Sequence, residues 1–192
     1  MAKYQALPTT PVLPNGTMLH GNQLPELVHM DDSALSVMMD YTFMPPHIIK
    51  PADTMDHAIN EMEVSGVHLL LVINDEGHFQ GIISSEDVWG EKPIKLIQEG
   101  RIHRDQVLVK MIMVPYTEII AFDFALIESA HVGHIVKTLL EHKQHYALAI
   151  SPCTDKPVQM IRGIFTSAQL SKQLHTDIAT IFNGSGSVSE LL

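Results

Sequence analysis

Apolar positions along this chain arrive in short blocks, and their spacing alternates between the helical and the strand period. Met55, Ala58, Ile59 and Met62 form one helical stripe. Asp53 is placed to cap it, with Asp56 three residues on as a variant capping box, and Gly66 closes it as a C′ glycine. His68 to Ile73 is an unbroken apolar run of strand length. Asn74-Asp75-Glu76-Gly77 carries turn chemistry, Phe79 to Ile83 reads as the returning strand, and a helix is predicted from Ser85. Pro93 breaks or restarts that helix, and Gly100 ends it.

The series then runs again. Glu118 to Phe122 is predicted as a strand, and Val132, Ile135, Val136, Leu139 and Leu140 give a second helical stripe. Tyr146 to Ile150 and Val158 to Phe165 are the next two strands, and residues 167–182 the last helix. Each series has a leader. Asp32-Ser33 caps a short helix carrying Leu35, Val37, Met38 and Met39, ended by Pro45-Pro46 before a strand at His47-Ile48-Ile49. Val107 to Met113 precedes Pro115 in the same way. The strand-to-helix junction Gly81-Ile82-Ile83-Ser84-Ser85-Glu86-Asp87 returns 82 residues later as Gly163-Ile164-Phe165-Thr166-Ser167-Ala168-Gln169. Two copies of one unit account for this better than a single long domain. The fold class is therefore α/β (α+β), with two β-α-β-β-α repeats: 31–104 with its leading helix, and 105–182. Residues 1–30, interrupted by Pro8, Pro11, Pro14 and Pro25, read as a flexible tail, as do 183–192.

Composition narrows the function. A net charge of −10 with only 12 Lys and Arg argues against nucleic acid as a partner. The one cysteine, Cys153, excludes an intrachain disulfide and suits a reducing, cytoplasmic setting. No stretch approaches the ~20 apolar residues of a membrane helix. The 12 histidines include His131, His134, His142 and His145, but no Cys pair or His-Glu-x-x-His pattern accompanies them. They read as scattered rather than as metal ligands. No nucleophile and base arrangement is visible, so the chain is not expected to be an enzyme.

Gly66-Val67-His68 leading into an apolar strand, and the Gly-Ile-Ile-Ser-Ser-Glu-Asp junction, each with a counterpart in the second half, resemble the motifs of CBS domains. The resemblance covers about residues 37–175 and is to a stand-alone, bacterial-type tandem CBS pair, or Bateman module. It implies a pseudo-two-fold pair of repeats with clefts between them. Such clefts take adenosine-containing ligands: AMP first, then ADP or ATP, or S-adenosylmethionine. No cofactor is required, and occupancy signals to an effector protein. The resemblance also implies a homodimer, to which the stripes of Met55, Ile59 and Met62 and of Val132, Val136 and Leu139 would contribute.

The resemblance assigns roles to particular residues. Asp87 matches the acid that accepts from both ribose hydroxyls, and Ser84 the hydroxyl facing ribose or phosphate. Val67 and Ile83 match the contacts to adenine, with Ile48 grouped beside them, and His68 matches a phosphate-reaching position. In the second repeat Thr166 corresponds to Ser84, His145 to His68 and Gln144 to Val67. Gln169 stands where the second ribose acid belongs, and an amide carries no charge to strengthen that bond. Leu69 and Tyr146 replace basic residues, and Glu86 adds negative charge, which argues against a triphosphate. Without the resemblance, Asp87 and Ser84 would read as helix-capping residues. The alternative function is therefore an interaction or scaffold protein of the same fold with empty or vestigial clefts.

Overall fold

A computed structural model describes residues 24–100, 102–152, 159–176 and 178. Cys153, the tail up to residue 23 and the tail from 183 lie outside the described residues. The elements in chain order are β1 (Met39–Asp40), β2 (Ile48–Ile49), α1 (Met55–Ser65), β3 (Leu69–Ile73), β4 (Phe79–Ser84), α2 (Ser85–Trp89), α3 (Glu91–Gly100), α4 (Val109–Ile112), β5 (Val114–Pro115), β6 (Ala121–Asp123), α5 (Phe124–Ile127), α6 (Val132–His142), β7 (Tyr146–Pro152), β8 (Gln159–Thr166) and α7 (Ser167–Leu174). The repeated strand-helix-strand-strand-helix series is present in both halves.

The strands form two four-stranded sheets, ordered β2-β3-β4-β5 and β1-β8-β7-β6. Each repeat lends its leading strand to the other's sheet. β1 runs antiparallel to β8, with Asp40 opposite Gly163, and β5 runs antiparallel to β4, with Pro115 opposite Gly81. The pleat then sorts side chains into three cores. Leu70, Val72 and Ile83 face α1 together with Met55, Ala58 and Met62, joined by Val107, Val109 and Ile112 of the exchanged segment. Ala147, Ala149 and Phe165 face α6 and α7 together with Val28, Ala34, Val37 and Met38 of the first leader. The alternate residues Leu71, Ile82, Tyr146, Leu148 and Ile164 meet between the two sheets.

Several element ends depart from the sequence expectation for local reasons. Thr54, not Asp53, caps α1: its hydroxyl accepts the His57 N–H at 3.2 Å. Asp53 instead accepts from the Lys50 N–H at 2.9 Å, and its carbonyl accepts from Val109, tying the exchanged segment down. The first leader is a 3-10 turn, Ala34–Val37, because Met39 leaves it to enter β1. The strand predicted at Glu118 to Phe122 begins only at Ala121, after a 3-10 turn at Tyr116–Glu118. α7 ends at Leu174, with His175 in the left-handed region at φ 51°; residues 179–182 of the expected helix lie outside the described residues. Most of the stripes on α1 and α6 is covered within the chain: Met55, Met62, Val132, Val136 and Leu139 are buried, while Ile59 is half-buried and lines an open groove.

Candidate functional site

Where β4 runs into α2, Ser84 ends extended and Ser85 begins the helix, so the first N–H groups need acceptors. Ser84 and Asp87 supply them reciprocally. The Ser84 hydroxyl accepts from the Asp87 N–H at 3.3 Å, and Asp87 Oδ2 accepts the Ser84 N–H at 2.9 Å and its O–H at 2.7 Å. The capping role is thus realised in full, and it uses one carboxylate oxygen. Among the described residues Oδ1 of Asp87 has no hydrogen-bond partner and is left for another donor.

Ser84 and Asp87 form one wall of a cleft of about 220 Å³. Its opposite wall is the end of α6 and the start of β7, with Lys143, Gln144, His145 and Tyr146. Val114 of β5 and Glu118 close a third side, so the exchanged segment is part of the site. His145 Nδ1 lies 3.4 Å from the hydroxyl of buried Ser167, which anchors that ring to the second repeat. Tyr146 is only 8% exposed. Burial first, then the carboxylates of Asp87, Glu86 and Glu118, hold its phenol well above the usual tyrosine range, so it stays protonated.

Of the ten residues singled out in the sequence, this cleft gathers four: Ser84 and Asp87 from the first repeat, Gln144 and His145 from the second. The structure separates the rest. Val67 and His68 line a different groove of about 310 Å³, beside Ile59, Met62 and Trp89. The Ile83 side chain is fully buried against α1, leaving only its backbone for a ligand. Ile48 is exposed on the first sheet's edge strand. In the second repeat Thr166 caps α7, accepting from the Gln169 N–H at 3.1 Å. The Gln169 side chain donates to Gln173 at 2.8 Å, and buried Gln173 in turn donates to the carbonyls of Pro25 and Ser36.

Sequence reading missed Lys143 and Glu118. Lys143 was within reach, because the repeat alignment places it over Gly66 at the left-handed end of the helix (φ 53° and 66°). Glu118 was not, since it joins the cleft only through the exchanged strand. Among the described residues no three His, Cys, Asp or Glu side chains are placed to hold a metal ion, and no helix is long and apolar enough to cross a membrane.

Residues 36–88 match the family model of the CBS domain, and the fold resembles a conserved CBS domain protein of Thermoplasma acidophilum at TM-score 0.53 and 17% identity, covering 78% of this chain and 79% of that one. The fold is that of a CBS pair. CBSX2 of Arabidopsis thaliana, in a structure solved with AMP, matches at TM-score 0.50 and 19% identity over 73% of this chain and 94% of its own. A GMP reductase of Trypanosoma brucei matches at 0.51 and 16% identity, but over only 27% of its length. No curated protein sequence matches the chain. In this fold the residues of the repeated junction, Ser84 and Asp87, border the cleft between the repeats; their counterparts are engaged elsewhere, Thr166 in capping α7 and Gln169 in donating to Gln173, which holds the first leader.

Proposed function

We propose that this CBS pair is a regulatory module that takes an adenosine-bearing small molecule at the cleft of Ser84 and Asp87. One observation carries the reading: a single cleft joins a carboxylate with a free acceptor oxygen to side chains from the other repeat, so a bound molecule would bridge the two. The AMP complex of CBSX2 supports adenosine as the recognised part. An ionised carboxylate suits two neighbouring ribose hydroxyls, as charge-assisted bonds are about twice as strong as neutral ones. Occupancy would act on a partner protein, with no chemical step catalysed. The single cysteine suits a cytoplasmic setting for this.

A thermal-shift series with adenosine compounds tests the reading, because a ligand that binds only the folded chain raises its Tm. Asp87→Asn keeps an acceptor for the Ser84 cap but loses the charge. It is expected to keep most of its own Tm and to lose most of the ligand-induced rise. The second reading, a scaffold with vestigial clefts, is favoured by the closed Ser84–Asp87 cap. It predicts no rise with any adenosine compound.

A further inference from the structure

Each leader is seated on a helix of the other repeat in the same way. The Met55 N–H at the start of α1 donates to the Val107 carbonyl, and the Val109 N–H to the Asp53 carbonyl, both at 2.8 Å. The Val132 N–H at the start of α6 donates to the Asp32 carbonyl, and the Ala34 N–H to the Ala130 carbonyl, both at 2.9 Å. Gly133 adds a 2.8 Å bond to the Met30 carbonyl. Each leader thus supplies acceptors to the first turn of a helix, so it holds only as well as that turn does.

The two turns differ in what caps them. The Thr54 hydroxyl caps α1 and carries no charge. His131 takes the corresponding place in α6, and His134 Nδ1 accepts its N–H at 3.0 Å. The two rings are stacked with centres 5.6 Å apart. An imidazole nitrogen accepts only while the ring is neutral, since imidazolium donates at both nitrogens. A proton on His134 would break this bond, and one on each ring would set two like charges together at the positive end of a helix. His57 is the counterpart of His134 and is flanked differently: Asp53 and Glu61 lie 3.5 and 3.6 Å from its ring nitrogens, so its charged form has two partners. Ala130 and Thr138 stand at those two positions in the second repeat. The charged and titratable residues of the surrounding elements are His29, Asp31 and Asp32 on the leader, Glu128 before α6, Lys137 on it and Lys172 on α7. Among the described residues none of them pairs with either ring, and the Asp32 carboxylate accepts the His29 N–H at 2.7 Å.

We infer that His131 and His134 make the seat of the first leader an acid-labile latch, which loosens as the pair takes up protons while the seat on α1 holds. Histidine is the side chain whose charge ordinarily changes between about pH 5 and 8. Protons that favour the undocked leader shift the equilibrium toward it as pH falls. Release brings Val28 and Ala34, both buried, to the surface.

The test is amide hydrogen exchange of the full chain by NMR at about pH 7.5 and about pH 5, on either side of the histidine range, with each rate divided by the unstructured rate at the same pH. Protection of Val132, Gly133 and Ala34 is expected to fall by about fivefold or more at the lower pH, and that of Met55 and Val109 to stay within about twofold. His131→Ser with His134→Gln rebuilds the turn as a capping box with no group that titrates in this range. It should abolish the fall. Unchanged or rising protection at the α6 seat in the wild type overturns the inference. So does an equal fall at both seats, or a fall that the double variant retains. The comparison of the two seats needs the wild type alone, so the outcome does not hang on the variant folding.

Discussion

A side chain at position 81 would have nowhere to go. A Cβ there would collide with the Val114 carbonyl oxygen, and one at Gly163 would lie 2.6 Å from the Met39 carbonyl oxygen. Val114 and Met39 are the corresponding residues of the two exchanged strands, opposite Ile82 and Ile164. The glycine of the repeated junction is thus set by close approach of another backbone, not by turn geometry. Gly81→Ala and Gly163→Ala are each expected to cost about 1–3 kcal/mol in denaturant unfolding. Gly100→Ala, which meets only the Ile102 side chain at 4.0 Å, serves as the near-neutral control. Gly81 and Gly163 were visible in the sequence as a repeat, but their reason was not. Gln169 shows the same limit. Its position reads as a ligand residue, and its amide nitrogen donates to Gln173, a partner of the first leader that no local pattern reveals.

Elements were legible where a stripe and a stop signal agreed. α1 follows an apolar stripe closed at the expected C′ residue, Gly66; α6 follows its stripe alone, since its αL end at Lys143 has no glycine to announce it. The paired strands β3–β4 and β7–β8 follow because short apolar runs around turns have few alternatives. The two-residue strands β1 and β5 were not legible, since their pairing partners lie in the other repeat. β1 is held to β8 by more than its ladder: Asp40 and Arg162 form a two-pronged ion pair, with bonds of 3.0 Å from Nε to Oδ1 and from Nη2 to Oδ2. The Arg162 guanidinium also lies 4.8 Å from the centre of the Phe124 ring. Partial burial pushes the Asp40 carboxyl up, but Arg162 and Thr42 more than offset this and hold it below its ordinary value of 3.8. A lowered folded-state pKa gives stability that is present above the unfolded value and lost as pH falls through the folded one. Asp40→Asn should therefore cost about 1.5–3 kcal/mol at neutral pH and progressively less below about pH 4, as the wild type loses the same charge. Unfolding curves for both proteins across pH 2–7 check this.

At the scale of the whole molecule, self-association turns on which apolar side chains stay in water. The stripes of α1 and α6 are mostly covered within the chain, Ile59 excepted. The exposed apolar side chains on the first repeat's helices are instead Val64, Trp89 and Ile94, at 77%, 65% and 51% exposure. Trp89 also borders the groove of Ile59 and Val67. A second copy covering these helices with its own would give a closed two-fold contact. Sedimentation at micromolar concentration is expected to find a dimer, and Trp89→Glu a monomer. A wild-type monomer would mean that these side chains stay in water. The repeat order was readable in advance because a duplicated pattern counts twice. How the halves interlock was not, because a two-residue strand carries no periodicity of its own.

The interlocking has a consequence for how the chain is made. Synthesis proceeds from the N-terminus, and a nascent chain can fold only with what has already left the ribosome. The first sheet is complete once Val114 and Pro115 emerge. The second cannot be, because Asp40 pairs with Arg162, 122 residues further on. For most of that interval Val28, Val37 and Met38 have been made but α6 and β7, which help to cover them, have not, and Phe165 and Leu170 follow later still. Among the described residues, the earliest apolar surface is thus covered late. The N-terminal leader passes through much of synthesis as an exposed, sticky segment, and the final strand and helix complete its cover.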